Sequence, residues 1–191
     1  MANEFYALRG RMRYITRWGL MRNTFSENIQ EHSHQVAVLA HALALIRRDI
    51  LGLEGPDPDK CAVAALYHDA SEILTGDLPT PIKYYNPDIK DAYKQVEHIA
   101  GKRLLDMLPP QLRNSYESYV LESDETVLPI VKAADKLSAY IKCVEEQKAG
   151  NKEFDSAAAA AMEIMKKRNQ PELAWFIEKC LPAFALNLDQ L

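Results

Sequence analysis

The fold of this chain is organised around the stretch Ala64-Ala65-Leu66-Tyr67-His68-Asp69-Ala70-Ser71-Glu72, where an imidazole stands beside a carboxylate among small and apolar residues. Burying an unpaired carboxylate is costly, so Asp69 needs a partner. A divalent metal suits an imidazole and a carboxylate ligand at once. An isolated His-Asp dipeptide is more often a solvated surface pair, and the rest of the chain decides between these two interpretations.

We expect this stretch to lie on a helix from about Pro58 to Leu74, with Asp57 as the N-cap and a proline in the first turn. One face of such a helix carries Cys61, Ala65, His68 and Glu72. His68 and Asp69 can then turn toward one point, with Glu72 a turn further along. The alanines would let another helix approach closely enough to supply further ligands.

A second helical pattern, from about Glu31 to Leu53, places His32 at the start of its apolar stripe. The stripe continues through Val36, Leu39, Leu43 and Ile46. His34 lies about 200° round the helix from His32, so the two imidazoles cannot hold one metal unless the helix is broken there. We expect His34, together with His41 and His98 elsewhere, to be a surface or hydrogen-bonded histidine.

Asp135 is a carboxylate inserted into a third apolar helical row, between Val131 and Tyr140. A carboxylate buried there needs a cation. Lys132 or Lys136 could supply it through a salt bridge, and for this segment alone that is the simpler explanation. A shared metal becomes the better explanation once His32, His68 and Asp69 also need a common partner.

Two further segments are candidates for contacts with a ligand. The helical rhythm of residues 4–22 breaks around Arg17-Trp18-Gly19, where Arg17 could hold a phosphate bidentately and Trp18 could stack, although Trp is more often core. Gly76 ends the His-Asp helix, and Asp77-Leu78-Pro79-Thr80-Pro81 predicts a rigid extended loop. That loop is either a simple connection or a wall of the substrate site.

The remaining sequence predicts an all-α fold. Helices are expected from Asn86-Pro87 to Pro109, over Pro110–Val120, after the cap Ser123-Asp124-Glu125 with Pro129 in its first turn, over 154–168, and from Pro171 to about Leu186. The sequence shows no alternating strand pattern of useful length, glycine-rich phosphate loop or internal repeat. We therefore expect one helical domain over residues 1–191, with a metal site between its core helices.

Composition narrows the classes of function. The chain has 191 residues, with 23 basic and 27 acidic side chains and a net charge of −4, and it contains no long block of like charge. We therefore expect no binding of a nucleic acid polymer or a membrane surface. No segment approaches the roughly 18 apolar residues of a membrane span. The 3 cysteines are far apart, which favours reduced thiols and a cytoplasmic protein.

His32, His68, Asp69 and Asp135 thus lie on the inward rows of three predicted helices. Two imidazoles and two carboxylates suit a six-coordinate ion such as manganese, cobalt, iron or magnesium, with positions left for water and a phosphate oxygen. The sequence therefore predicts an open catalytic metal site.

The order His, His-Asp, Asp resembles the HD-domain phosphohydrolases, an all-helical superfamily. Longer motifs make the chain similar to the bacterial HD-domain 5′-deoxynucleotidases over nearly its whole length. These motifs are Arg17-Trp18, Glu27-Asn28-x-x-Glu31-His32-Ser33, His68-Asp69-Ala70-Ser71-Glu72, Thr75-Gly76-Asp77-Leu78-Pro79-Thr80-Pro81-x-Lys83-Tyr84 and Lys132-x-Ala134-Asp135. The resemblance implies a homodimeric enzyme of deoxyribonucleotide metabolism that hydrolyses deoxyribonucleoside 5′-monophosphates with one divalent cation, such as Co²⁺ or Mn²⁺.

The resemblance also implies roles for individual residues. The metal ligands would be His32, His68, Asp69 and Asp135. The catalytic residues would be Glu72, Arg17 and Asp77. Substrate contacts would come from Arg17, Trp18, Asp77, Leu78, Pro79 and Thr80, together with His32, Asp69 and Asp135. The core motifs would span residues 17–140, with C-terminal helices over 153–187 packing on them.

Two other functions stay open at this stage. The first is an HD-domain phosphohydrolase acting on a nucleoside triphosphate, a cyclic nucleotide or a guanosine polyphosphate, although a triphosphate site would be expected to add basic residues beyond Arg17, Arg22 and Lys83. The second is a helical module that binds metal and nucleotide without hydrolysis, or a dimerising scaffold with buried salt bridges. The presence of Glu72 beside a complete ligand set argues against both forms of this second alternative.

Overall fold

The computed structural model describes residues 3–83 and 85–191, and within them the regular structure is helical, as predicted. The α-helices are α1 (Phe5–Arg9), α2 (Ile29–Leu45), α3 (Pro58–Tyr67), α4 (Glu72–Thr75), α5 (Thr80–Lys83), α6 (Pro87–Asp106), α7 (Pro110–Val120), α8 (Leu128–Lys148), α9 (Asp155–Lys167) and α10 (Pro171–Lys179). Short 3₁₀ turns cover Gly10–Tyr14, Lys152–Phe154, Leu181–Ala185 and Leu188–Gln190. None of the described helices is both long and apolar enough to span a bilayer.

The start of α2 is fixed by a capping box. The Asn28 side chain accepts a hydrogen bond from the Glu31 amide at 3.0 Å, and the Glu31 carboxylate accepts one from the Asn28 amide at 3.4 Å. Regular α-helix ends at Leu45, and a π-helical turn over Ile46–Ile50 replaces the predicted continuation to Leu53. The cap places His32 in the first turn of α2, at a defined depth in the fold.

Helix α2 lies at the centre of the molecule, between α3 and α8. Its predicted apolar stripe is buried, with Val36 and Leu43 fully enclosed. Small residues line the facing helices, Ala64 and Ala65 on α3 and Ala133 and Ala134 on α8. The C-terminal helices join the same core through Met165, Leu173 and Phe176. This close packing brings together the inner ends of the three helices that carry the predicted ligands.

The prediction of a continuous helix over Pro58–Leu74 is wrong. Helix α3 ends at Tyr67, and bonds from residue i to i−3 follow, from the Ala70 amide to the Tyr67 carbonyl at 2.9 Å and from the Glu72 amide to the Asp69 carbonyl at 3.1 Å. His68 Nδ1 donates a hydrogen bond to the Ala65 carbonyl at 2.7 Å. In a continuing α-helix, the Asp69 amide would donate to that carbonyl instead. A side chain has therefore replaced a backbone donor, and the helix stops there.

Two other predicted segments differ from the structure. The irregular segment after Gly76 ends at Pro79, whose carbonyl accepts from the Ile82 and Lys83 amides, so Pro81 lies in the short helix α5 rather than in an extended loop. A proline in the first helical turn has no intrahelical partner to lose, which explains why the helix tolerates it. In the N-terminal segment, the helical turns end at Tyr14, before the Arg17-Trp18 corner.

Candidate metal and substrate site

The two candidate imidazoles are held through Nδ1 by different groups. His68 Nδ1 donates to the Ala65 carbonyl at 2.7 Å. His32 Nδ1 lies 3.2 Å from Ser138 Oγ, whose own proton is donated to Gln35 Oε1 at 3.0 Å, so the hydroxyl accepts from His32. Nδ1 of each ring is therefore bonded to an outer partner while Nε2 faces the carboxylates, and outer hydrogen bonds of this kind orient metal-ligating histidines.

The two carboxylates converge on these Nε2 atoms. Asp135 Oδ1 lies 3.1 Å from His32 Nε2, and Asp69 Oδ2 lies 3.6 Å from the same nitrogen and 3.2 Å from His68 Nε2. His32, His68 and Asp135 each offer a ligand atom within 4.8 Å of the others. The structure thus brings together the predicted residues of three helical segments that are distant in sequence.

The electrostatics of this cluster favour a cation. Burial opposes charge on His68, but Asp69, Asp135 and Glu122 outweigh it and raise the pKa of His68 to about 10. Burial likewise opposes ionisation of both aspartates, yet the histidines and Arg17 hold the pKa of Asp69 and of Asp135 well below the usual range. Ionised carboxylates that stabilise positive charge this strongly would stabilise a divalent ion in the same place.

The donor set fits a divalent metal. His68 Nε2 is buried and makes no well-oriented hydrogen bond within the described residues, although Asp69 lies near it. A buried ring nitrogen that faces ionised carboxylates needs a proton or a metal cation between them. In the described part of the chain, the ionic contact of Asp135 is with His32, while Lys132 is exposed. The simple lysine salt bridge considered from the sequence is therefore not the arrangement found.

Arg17 lies against the His and Asp cluster, on the segment before α2, and Trp18 follows it. An isolated antiparallel bridge joins Thr16 to Asn28, and the Arg17 amide donates to the Glu27 carbonyl at 2.9 Å. Arg17 NH1 reaches Asp69 Oδ2 at 3.4 Å. Trp18 has a left-handed backbone with φ of 59°, an uncommon conformation for a large side chain. This corner presents the Arg17 guanidinium to the cluster and directs the Trp18 indole to Glu27 and Phe154.

Glu72 and Asp77 are carboxylates with raised pKa values. Glu72 is buried at the start of α4, and its Oε2 has no hydrogen-bond partner among the described residues. Burial, with repulsion from Asp69 and Asp77, raises the pKa of Glu72 to about 9. Burial also raises the pKa of Asp77, while Arg17 opposes the change. Groups tuned in this way within one cleft are candidates for proton transfer.

The segment after Gly76 is tied to α6. Tyr93 donates to the Gly76 carbonyl at 3.2 Å, and Lys83 pairs with Glu97 at 2.6 Å. Leu78 and Pro79 are half-buried there. Tyr84 and the side chain of Thr80 lie outside the described residues.

The other histidines lie away from the cluster. His34 and His98 are exposed, and His41 meets Asp59 at 3.3 Å in an ion pair in which Asp59 is largely exposed.

Three residues at the site were not assigned a role from the sequence. Glu27 bonds Arg17 and Trp18, Ser138 orients His32, and Glu122 influences His68 from a left-handed position with φ of 48°. The sequence offered a signal for Ser138, which shares the helical face of Asp135. Glu122 lies in a turn with no periodic pattern, and Glu27 depends on the pairing between residues 15–17 and 27–29, so neither could be found by spacing.

The chain is similar along its length to curated bacterial enzymes. A 5′-deoxynucleotidase of Vibrio cholerae is 46% identical over 191 residues, covering 99% of this chain and 98% of that protein. A 5′-deoxynucleotidase of Erwinia tasmaniensis is 47% identical over 191 residues, covering 99% of this chain and 96% of that protein.

Solved structures of lower sequence identity share the fold. An HD-domain phosphohydrolase from Listeria innocua superposes with a TM-score of 0.83 at 22% identity, over 97% of this chain and 90% of that one. An HD phosphohydrolase of cyanophage S-2L, bound to dA and one catalytic Zn²⁺ ion, superposes with a TM-score of 0.65 at 23% identity, over 92% of this chain and 95% of that one. The model of the family described as 5′-deoxynucleotidase YfbR-like matches residues 4–184. With its helical fold, its His and Asp cluster and these full-length relatives, the chain belongs to the YfbR-like 5′-deoxynucleotidase family.

Proposed function

We propose that this protein is a metal-dependent phosphomonoesterase that hydrolyses deoxyribonucleoside 5′-monophosphates to the deoxyribonucleoside and phosphate. One observation carries the proposal. Two imidazoles with their protons on Nδ1 aim Nε2 at the carboxylates of Asp69 and Asp135, while Arg17 reaches Asp69 from the side. The names of the full-length relatives support the same activity.

His32, His68, Asp69 and Asp135 would hold the cation, and two nitrogen with two carboxylate ligands suit Co²⁺, Mn²⁺ or a similar ion. A divalent ion, when bound, polarises a phosphate oxygen and lowers the pKa of water. The cyanophage enzyme of the same fold carries Zn²⁺, which supports a metal in this position and leaves its identity to experiment.

Arg17 would bind the non-bridging oxygens of the phosphate. Its Nε is held by Glu27, and its NH1 lies 3.4 Å from Asp69, so the outer end of the guanidinium faces the cluster. An arginine fixed in this way stabilises the negative charge that develops on a transferred phosphoryl group. We assign His32, Asp69 and Asp135 contacts with the same phosphate, because they surround the position that it would occupy.

Glu72 would position the attacking water, and it would accept the proton of that water once a bound cation beside Asp69 offsets the repulsion that raises the pKa of Glu72. It is buried beside Asp69 and Asp77, and its free oxygen leaves a position for one further hydrogen bond. Asp77 would act on the sugar side, by protonating the leaving 5′-oxygen or by binding the 3′-hydroxyl. The raised pKa of Asp77, which burial causes, supports either role because each is served by a carboxyl that can donate.

Discrimination against ribose would come from the wall formed by Trp18 with Leu78, Pro79 and Thr80. Trp18 is fixed on its backbone and on its ring, so a 2′-hydroxyl meeting it would lose water without gaining a hydrogen bond. Leaving a polar group buried and unpaired in this way is unfavourable.

We further propose a cytoplasmic homodimer whose partner is a small nucleotide rather than a nucleic acid polymer. The cysteines Cys61, Cys143 and Cys180 are free, which suits a reducing compartment. Helix α6 exposes Val96 and Ile99, the latter 66% accessible, and an apolar face of this kind is suited to a second copy of the chain. The net charge of −4 supports the absence of polyanion binding.

The experiment that tests the activity is phosphate release by chelator-stripped protein resupplied with Co²⁺, Mn²⁺, Mg²⁺ or Zn²⁺. We expect metal-dependent release from deoxyadenosine 5′-monophosphate that is faster than release from adenosine 5′-monophosphate. If metal binds but neither monophosphate is hydrolysed, the substrate assignment is wrong, and triphosphates and cyclic nucleotides become the next substrates to assay. If chelator changes neither activity nor stability, the metal assignment is wrong as well.

A further inference from the structure

Glu27 holds two neighbouring side chains with one carboxylate oxygen. Its Oε2 accepts from Arg17 Nε at 3.1 Å and from Trp18 Nε1 at 3.0 Å. Glu27 is 7% exposed, so these bonds are largely shielded from water. Hydrogen bonds to an ionised carboxylate are stronger than those to a neutral amide. A glutamine at this position would therefore hold Arg17 and Trp18 less firmly than Glu27 does.

The position of Glu27 is set by the backbone and does not depend on these side-chain bonds. The Arg17 amide donates to the Glu27 carbonyl at 2.9 Å, and the Ile29 amide donates to the Ile15 carbonyl at 3.0 Å. The next residue, Asn28, is the N-cap of α2. A change confined to the Glu27 carboxylate should therefore leave the chain path intact.

The carboxylate divides the hydrogen-bonding capacity of Arg17. Glu27 binds Nε, while NH1 is directed to Asp69, a predicted metal ligand, at 3.4 Å. An arginine has five donor hydrogens in a fixed planar arrangement, so a partner on Nε also fixes the direction of the terminal nitrogens. Without Glu27 the guanidinium would be free to turn toward Asp69 and compete for the carboxylate that the metal needs.

Glu27 also fixes the ring of Trp18. The left-handed backbone of Trp18 is supported by its carbonyl, which accepts from the Met21 amide at 2.9 Å. The indole packs against Phe154 with ring centroids 5.3 Å apart. A backbone turn and an apolar contact leave the ring free to tilt, and the bond from Nε1 to Glu27 removes that freedom.

We infer that Glu27 is a positioning residue that aligns the phosphate-binding guanidinium of Arg17 with the sugar-facing indole of Trp18. Turnover of the phosphate and discrimination against ribose are then coupled through one buried carboxylate. This inference rests on the proposed deoxynucleotidase function for its kinetic consequences. Its structural consequence, the immobilisation of Trp18, stands independently of any substrate.

The test compares Glu27→Gln with Glu145→Gln. Glu145 lines the same cavity as Glu27, and its replacement by glutamine removes the same charge, but among the described residues it makes no hydrogen bond to Arg17 or Trp18. For Glu27→Gln we expect kcat/KM for deoxyadenosine 5′-monophosphate to fall about 10- to 100-fold, mainly through KM. The preference for the deoxy over the ribo substrate should fall at least about 5-fold. Glu145→Gln should leave both quantities within about 2-fold.

A second variant separates the effect of Glu27 on Trp18 from its effect on Arg17. Trp18→Phe removes the indole N–H that Glu27 accepts, so in that background Glu27→Gln should have no further effect on the deoxy to ribo preference. In the same background Glu27→Gln should still raise KM, because it still removes the hydrogen bond between Glu27 and Arg17. An additive loss of preference in the double variant would show that Glu27 does not act through Trp18.

A measurement without substrate keeps the inference separate from the proposed activity. The chain contains 2 tryptophans, so a Trp175→Phe background leaves Trp18 as the single fluorophore. In this background Glu27→Gln should increase quenching of Trp18 by acrylamide, and Glu145→Gln should not. If wild type hydrolyses neither monophosphate but quenching changes as expected, the function fails and the positioning role survives. If quenching and substrate preference are unchanged while only the melting temperature falls, Glu27 is merely structural and the inference is wrong.

Discussion

The buried pair of Lys142 and Glu146 connects the Arg17-Trp18 corner to helix α8. Both side chains are fully enclosed, and Lys142 also donates to the Phe25 carbonyl at 2.7 Å. Glu146 further accepts from the Thr24 amide at 3.0 Å and from its hydroxyl at 2.8 Å. The loop that follows Trp18 is thus anchored on the same helix that carries Asp135.

Replacing Glu146 by glutamine removes the negative charge of this buried pair. Burial opposes ionisation of Glu146, but hydrogen bonds from Lys142, Asn151 and Thr24 outweigh it and lower the pKa of Glu146 from 4.5 to about 2. That difference corresponds to about 3 kcal/mol of folding stability. Because the pKa is lower in the folded state, this stability is complete well above pH 4.5 and is lost as the pH falls through about 2.

Glutamine keeps an oxygen for Thr24 but leaves Lys142 without its counter-charge. We therefore expect the variant to be about 3 kcal/mol less stable than wild type at pH 7, a fall in melting temperature of about 6–12 °C for a chain of this size. At pH 3 the carboxyl is protonated in the unfolded state but still mostly ionised in the folded state, so part of this stabilisation is already lost in wild type. The difference between the two proteins should then shrink by about 2 kcal/mol.

The assay is urea denaturation followed by circular dichroism at pH 7, 5 and 3, with Glu145→Gln as the control. Glu145 is the preceding residue, is half-buried and lies outside the Lys142 pair, so its variant should stay within about 1 kcal/mol of wild type at each pH. A Glu146→Gln penalty below about 1 kcal/mol at pH 7, or one of equal size at pH 3, would refute the reasoning.

Three further predictions concern the site. Glu72→Gln should retain metal and nucleotide binding but lower kcat about 100-fold or more, since it removes the proposed proton acceptor. Single-turnover kinetics would measure this loss, and unchanged turnover would remove Glu72 from the mechanism. Ser138→Ala should weaken metal affinity about 10- to 100-fold by freeing the His32 tautomer, as measured by calorimetric titration, whereas unaltered affinity would contradict the orienting role. Arg17→Ala should raise KM at least about 10-fold, and a lowered melting temperature with normal specific activity would contradict phosphate binding.

The local signals in the sequence were sufficient for most helix starts but not for the ends of α2, α3 and α10, the last of which ends at Lys179 rather than at the predicted Leu186. Asp57 before Pro58 and Asn86 before Pro87 each satisfy an amide at a helix start, so the information lies within a few residues of the boundary. The break after Tyr67 was missed because its cause is a side chain. The His68 imidazole donates to the Ala65 carbonyl in place of a backbone amide, and helix propensities do not include this kind of competition.

The candidate ligands could be identified from the sequence because burial of polar residues follows helical periodicity. His32 and Asp135 interrupt apolar rows, and His68-Asp69 lies within an alanine-rich segment, so their inward direction was predictable. The meeting of His32, His68 and Asp135 within 4.8 Å depends on how α2, α3 and α8 pack, which no single segment encodes. Family resemblance supplied the expectation of a common site, and the tertiary packing gives its geometry.

The sequence alone predicted the helical class of the fold, the faces that turn inward and the polar residues that those faces carry, because these properties follow from spacing along one helix. The tertiary structure decided the partners of those residues. Lys142 and Glu146 at i and i+4 would ordinarily be a solvated surface pair, yet Phe154 and the loop over Thr24 and Phe25 enclose them. Glu27 faces Arg17 and Trp18 because residues 15–17 pair with residues 27–29. Such contacts join segments that are separated along the chain, and their energies depend on the exclusion of water that only the folded packing provides.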